Sequence, residues 1–392
     1  MKRIISKRHK VFISLGAKPL DRKGLQGILR FTHTLSPWIT HLEMGFDGEP
    51  TNFNLAEWGC DGILTNKTPT ADVLAYCREH DIPMVVCGYH DRTCKDHPNV
   101  IARTYCDDVS ICQMAAEHLS NLKLTHFAHL RYGPSFGWDE ERAIAFADAL
   151  ARFGHSCESF EFNRNSPYDN PKGSKRRLGT WLQSLPKPIG IFASNDYLAK
   201  EAVQTCSDLG IAIPQSVAIV GVDNDEVLCE MCSPTVSSVE FDVEPTGFTA
   251  AQLLNDAMSF PRRRKQCLSI LSPAKRIVVR QSTERQFSSD RLVSRCNDLI
   301  KLNATRKLTI GDLANALHTS VRTLELHFKK NTGVSIAQHI LATRIELAKD
   351  LLRNTSKSYE QIAELCNFCD ASHLYTSFMR KCGKPPAAYR LS

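Results

Sequence analysis

The last hundred residues repeat themselves, and this repeat limits the fold more than any other feature of the chain. LTIGDLANALHTSVRTLELHFKK (308–330) and SYEQIAELCNFCDASHLYTSFMRK (358–381) follow one plan. In each, a short amphipathic helix leads through a turn into a second helix that ends in two basic residues. Leu313 and Ala314 align with Ile362 and Ala363, Leu324 with Leu374, and Phe328 with Phe378. The small Ala314 and Ala363 let the second helix cross close to the first. Leu317, Val321, Leu324 and Phe328 fall on one helical face and are expected to close a small core. The turn needs a residue that tolerates a left-handed backbone. His318 and Asn367 stand there, both of types enriched in that conformation. The pattern is a helix-turn-helix, twice over. Between the units, the apolar positions from Ile336 to Leu352 predict one helix of about 17 residues, or roughly 25 Å. It would set two recognition helices about one DNA turn apart, near the ~34 Å between successive major-groove insertions.

Charge separates the tail from the rest. From Asp290 onward there are 16 Lys and Arg against 9 Asp and Glu, whereas the first 289 residues hold 33 of each. The whole positive excess of the chain, 49 basic against 42 acidic residues, therefore sits on the helical module. That is the electrostatic footprint of a nucleic-acid binder. With both helix-turn-helix units and the closing GKPPAAYR (383–390), the tail resembles the DNA-binding domain of AraC/XylS-family regulators. The resemblance implies two helices in adjacent major grooves of a double-stranded operator. Arg322, Thr323, Glu325 and Leu326 are the candidates to face bases on the first, where Ser320 is a further candidate DNA contact, and Ser372, His373, Tyr375 and Thr376 are the candidates to face bases on the second. Lys329, Lys330, Arg380 and Lys381 are placed to meet phosphate.

At 392 residues the chain has room for two or three domains. No run approaches 18 apolar residues, so no membrane span is expected. The basic N-terminus is followed by too short an apolar run to be a signal peptide. The expected location is the cytoplasm, and the 15 cysteines are expected to be reduced thiols. Cys366 and Cys369 form a lone CxxC at a helix end, where packing rather than metal is expected. No metal and no cofactor are predicted.

From residue 9 to about 282, short apolar runs alternate with amphipathic helical stretches. Strands are expected at Val11–Leu15, Gly62–Leu64, Met84–Cys87, Val100–Ala102, His126–His129, Glu158–Phe162, Ile189–Ala193, Val217–Gly221 and Ile277–Val279. Strand followed by helix, repeated, predicts parallel sheets covered on both faces, and the length suits two doubly wound sheets. The expected division is a tail over 1–8, an α/β effector domain over 9–282, a polar linker over 283–290, and an all-α domain with two helix-turn-helix units over 291–392.

In open parallel sheets, ligands bind beyond the carboxyl ends of the strands. The polar and aromatic residues after each strand are Asp21, Arg22, Tyr89, Asp107, Phe136, Trp138, Arg142, Asn195, Asp196, Asp223 and Asn224. Planar bidentate groups grip adjacent hydroxyls, and rings cover the C–H face of a sugar. No Gly-rich phosphate loop is present. The set therefore suits a neutral polyol. Asp21, Asp107 and Asp196 are equally well placed to be helix N-caps.

IGIFASNDYLA (189–199), LGIAIPQSVAIVGVDN (209–224) and SPTVSSV (233–239) resemble the effector domain of lactose-repressor-type regulators, a fold shared with periplasmic sugar-binding proteins. The resemblance implies that Arg142, Asn195 and Asp223 hold sugar hydroxyls, that Phe241 lines the same cleft, and that the domain closes like a hinge and dimerises. The order of effector domain and tail is similar to that in bacterial regulators of pentose operons. That implies a homodimeric activator answering to D-xylose, in contact with RNA polymerase. Two other readings stay open: a repressor answering to another sugar or a purine, and a sugar-processing enzyme. For the enzyme, Asp196 and Asp223 are the sole candidate acid/base pair.

Overall fold

The computed structural model describes residues 8–16, 18–45, 53–66, 69–88, 97–133, 137–162, 171–261, 267–284, 291–355 and 357–390. The chain separates into two compact units, Met1–Glu284 and Arg285–Ser392.

The first unit holds two six-stranded sheets. One contains β1 (Lys10–Leu15), β2 (Ile39–Met44), β3 (Gly62–Thr65), β4 (Met84–Cys87), β5 (Val100–Cys106) and β11 (Leu268–Ser272), in the order β11-β5-β4-β3-β1-β2 and parallel throughout. The other contains β6 (His126–Arg131), β7 (Cys157–Glu161), β8 (Ile189–Ala193), β9 (Val217–Val222), β10 (Ser237–Phe241) and β12 (Ala274–Val278), in the order β12-β10-β9-β8-β6-β7. Only its β12–β10 pair is antiparallel among the described pairings. The central strands are covered on both faces, so β8 (IGIFA) and β9 (VAIVGV) are apolar and buried along their whole length. Edge strand β2 (ITHLEM) alternates partly buried and exposed positions.

The chain passes between the lobes where β5 meets α4 (Asp108–Asn121), where β10 meets α9 (Val243–Ser259), and where β11 meets β12. These crossings are tied to one another. Asp107 N–H donates to Ser272 O (2.9 Å), Asp242 N–H to Pro273 O (3.0 Å), and Ala274 N–H to Ser110 Oγ (2.9 Å). The Ser272 hydroxyl meets Thr246 Oγ1 at 2.8 Å. They form a three-stranded hinge whose backbone groups are largely satisfied within itself. Helix α1 (Pro19–Thr34) packs on α9 backbone to backbone. A Cβ at Gly27 would fall on the Glu244 carbonyl, and one at Gly247 on the Gly24 carbonyl.

The second unit is helical: α10 (Arg291–Leu302), α11 (Ile310–Ala316), α12 (Val321–Thr332), α13 (Ile336–Asn354), α14 (Tyr359–Leu365) and α15 (Ala371–Cys382), with a closing 3-10 turn at Pro386–Tyr389. Helix α13 serves two cores. Its first half, through Ile336 and Ile340, packs with Leu313, Leu317, Leu324 and Phe328. Its second half, through Ile345, Ala348 and Leu352, packs with Ile362, Cys366, Leu374 and Phe378. His318 (φ 51°) and Asn367 (φ 56°) adopt the expected left-handed turn. In both units the next residue's N–H returns to the small residue of the first helix: Thr319 to Ala314 O (3.0 Å) and Phe368 to Ala363 O (2.8 Å). Val321 corrects the expected core, being 42% exposed. It is the first residue of α12, and the buried face begins at Leu324. Arg344, on α13, donates from Nη1 to Asn367 O and from Nη2 to Arg306 O, both at 3.0 Å.

Candidate ligand cleft and nucleic-acid interface

The carboxyl ends of the two sheets contribute different chemistry. In the first lobe, a cavity lies beyond β1, β3, β4, β5 and β11, lined by Asp21, Asn66, Thr104, Cys106, Phe241 and Ser272 with apolar Leu20, Ile28 and Val243. Asp21 sits at the third position of α1. Its Oδ2 accepts from Lys18 N–H (2.9 Å) and its Oδ1 from Asn66 Nδ2 (2.5 Å). Asn66 Oδ1 in turn accepts from Gly16 N–H at 2.6 Å. Burial pushes the Asp21 carboxyl above the ordinary range, against the Lys18 hydrogen bond and charge.

The second lobe is charged and buried. Arg142, on α5 (Gly137–Ala151), is 2% exposed. Its Nε and Nη2 both reach Asp108 Oδ1, at 2.7 and 2.6 Å, and its Nη1 donates to Ser194 O at 2.5 Å. The guanidinium lies 5.1 Å from the Trp138 ring, one helical turn back, and Trp138 meets Tyr132 edge-on at 5.9 Å. His129, fully buried, meets Ser194 Oγ at 2.9 Å and lies against Phe192 and Phe146. Burial, then Arg131 and Arg142, lowers its pKa to about 3, so it stays neutral.

Asp223 directly follows β9 with φ 105°, a conformation that non-Gly residues adopt rarely. Both Asp223 and the buried Asp196 have pKa values raised, first by burial. For Asp196 the next cause is the Asp223 charge. For Asp223, Arg142 and Lys18 pull the other way. Asp196 approaches the chain so closely that a Cβ at Gly221 would collide with its carboxylate.

The structure sorts the remaining candidates. Asp107 and Asn195 are helix N-caps, their Oδ1 atoms accepting from Ser110 N–H (3.2 Å) and Leu198 N–H (3.0 Å). The Asn195 amide also faces the Tyr132 hydroxyl at 3.4 Å. Asp108, not Asp107, holds Arg142. Asn224 is turned away to Arg280 (2.9 Å), and Arg22 is exposed on α1 outside the cavity lining. Tyr89 and Phe136 lie outside the described residues. Asn66, Asp108, Lys18 and Tyr132 were missed. Asn66 follows β3 directly, so the rule that found Asp223 also reaches it. The role of Asp108 depends on tertiary burial.

On the second unit, Arg322, Thr323, Glu325, Leu326, Lys329 and Lys330 are exposed along α12, as are Ser372, His373, Tyr375, Thr376, Arg380 and Lys381 along α15. Ser320 is the N-cap of α12. Its hydroxyl accepts from Thr323 N–H (3.1 Å) and meets Thr323 Oγ1 at 2.8 Å. His373 Nδ1 accepts from Cys369 N–H at 3.4 Å, leaving its ring edge outward. Among the described residues no His, Cys, Asp or Glu cluster could hold a metal, and no helix is long and apolar enough to cross a membrane.

Two parallel-sheet lobes followed by a helical domain with two helix-turn-helix units have the build of a DNA-binding transcription regulator with a periplasmic binding protein-like domain. Residues 116–283 match the periplasmic binding protein-like domain, and residues 313–392 match a helix-turn-helix domain. Over its whole length the chain is similar to xylose operon regulatory proteins. It is 27% identical to that of Escherichia coli K12, covering 99% of this chain and 98% of that one. It is 27% identical to that of Haemophilus influenzae, covering 96% of each. A solved xylose-binding transcription activator superposes with a TM-score of 0.79 at 25% identity, covering 98% of both chains.

Proposed function

We propose that this chain is an activator of pentose catabolic genes whose effector is D-xylose. The sugar lies between the cavity of the first lobe and the Arg142–Asp223 group of the second. The observation that supports this most is the position of both sets of polar groups, at the carboxyl ends of both sheets and beside the hinge. Asp223, Asp21 and Asn66 offer hydrogen bonds to hydroxyls, and Trp138 and Phe241 offer apolar faces. Asp108 and Asp196 keep the guanidinium and the β9 turn in place. Sugar that binds the DNA-competent state better than the other shifts the population toward it. The reading includes a cytoplasmic homodimer that contacts RNA polymerase on double-stranded operator DNA and acts as a regulator rather than an enzyme.

The test is tryptophan fluorescence with D-xylose, L-arabinose, D-ribose, D-glucose and a purine base. A saturable response to D-xylose, lost in Asp223→Ala, is the expected result. A response to another member of the panel moves the regulator to that ligand. Silence in both fluorescence and thermal shift removes the effector assignment.

A further inference from the structure

The turn after β9 connects the cleft to the end of the effector unit. Asp223 and Asn224 both have positive φ, 105° and 46°. The turn is pinned by three N–H donors. Asp223 donates to Val239 O (3.1 Å), Asn224 to Ser238 Oγ (3.0 Å) and Asp225 to the Asp196 carboxylate (2.8 Å). Asn224, one residue beyond the cleft, accepts on Oδ1 from Arg280 Nη2 at 2.9 Å.

Arg280 is almost wholly buried, with its side chain 9% exposed. Its Nη1 donates to Val236 O (2.9 Å) and its Nε to Glu230 (2.5 Å). Its backbone N–H donates to Ser237 Oγ (2.7 Å). Its carbonyl accepts from the N–H of Glu284 at 3.0 Å, the last residue of the unit. The rest of this exit segment is stitched to the same strands. Ser282 Oγ donates to Ile219 O at 2.6 Å, and Thr283 Oγ1 lies 2.7 Å from Ser237 Oγ. Between the cleft carboxylate and the chain's departure toward the DNA-binding unit stand two side chains, Asn224 and Arg280.

We propose that Arg280 is the positioning residue that couples the occupancy of the cleft to the DNA-binding unit. The proposal rests on the sugar reading above. A hydroxyl bound to Asp223 selects one setting of the 223–225 turn. Asn224 carries that setting to the guanidinium, and the guanidinium carries it to residues 280–284. Arg280 is not among the residues that line the first-lobe cavity, and the candidate DNA contacts belong to the other unit. Its loss therefore acts on the coupling between two binding events. Such coupling is reciprocal: sugar must change DNA affinity by the same factor by which DNA changes sugar affinity.

The experiment uses the full chain, the sugar panel above and a duplex selected from a random pool by the wild-type protein. DNA affinity is measured with and without sugar, and sugar affinity with and without duplex. Wild type is expected to show one coupling factor in both directions, on the order of 5–150-fold. In Arg280→Gln the factor falls to within about twofold of unity, while each separate affinity is retained. Arg280→Lys, which keeps the charge but lacks the fork that reaches Asn224 and Val236 together, is expected to do the same. Glu230→Ala removes the exposed partner and keeps the coupling. Full coupling in either Arg280 variant overturns the proposal. So does loss of sugar affinity in both, which would make Arg280 a support of the cleft itself. A wild-type chain whose DNA affinity ignores every sugar removes the sugar reading, and the coupling with it.

Discussion

The two units treat charge in opposite ways. In the effector unit the decisive ion pair is buried, Arg142 with Asp108 inside the second lobe. In the DNA-binding unit the basic residues Arg322, Lys329, Lys330, Arg380 and Lys381 stand exposed on two helices. A buried charge fixes geometry for a small neutral ligand and is little affected by salt. An exposed charge waits for a polyanion and is screened by salt.

Arg142→Met tests the buried side most severely. It leaves Asp108 uncompensated and is expected to cost the effector unit about 3–5 kcal/mol. Chemical unfolding followed by Trp fluorescence reads it, and wild-type stability would contradict the pairing argument. Arg322→Ala tests the exposed side. A loss of about 1–3 kcal/mol on the selected duplex, with little loss on random DNA, is expected if it contacts a base edge. Equal losses on both would move it to phosphate. Lys330→Ala is expected to weaken all sequences alike and flatten the slope of log affinity against log salt by about 0.9. Sugar affinity across the same salt series should stay level.

The smallest effect concerns protons. The carboxyl groups of Asp196 and Asp223 are raised above the ordinary value of 3.8. A raised carboxyl holds its proton more tightly folded than unfolded. Its contribution to stability is full below the ordinary range and is lost as pH rises through the raised values. Unfolding free energy should therefore decline from this pair as pH climbs toward neutrality. Asp196→Asn, which cannot ionise, should flatten that decline, and an unchanged pH slope would show that the pair does not titrate as argued.

How much of this the sequence disclosed depended on burial. Strands buried on both faces, such as β8 and β9, are plain apolar runs. Strand β2 was missed because its apolar Ile39, Leu42 and Met44 are exposed and its partly buried positions are polar, His41 and Glu43. Strand β10 was missed because its buried serines bond other segments rather than the apolar core, Ser237 the exit segment and Ser238 the turn after β9. At the carboxyl ends of the strands, the position of a residue after a strand was enough to single out Asp21, which lines the first-lobe cavity. It could not separate Asp107, which caps α4, from its neighbour Asp108, which holds Arg142. That choice is made by α5, more than 30 residues away in sequence. In the tail the repeat disclosed the left-handed turns, but not that Val321 precedes the buried face.

Arg344 fixes a length. It joins the segment before the first helix-turn-helix to the turn of the second, so the distance between α12 and α15 is part of the domain's rigid core. DNA turns by about 35° per base pair. One inserted pair between the two contact sites swings the second out of register, whatever its bases. A binding site for this tail can drift letter by letter, yet it has no freedom to change its spacing.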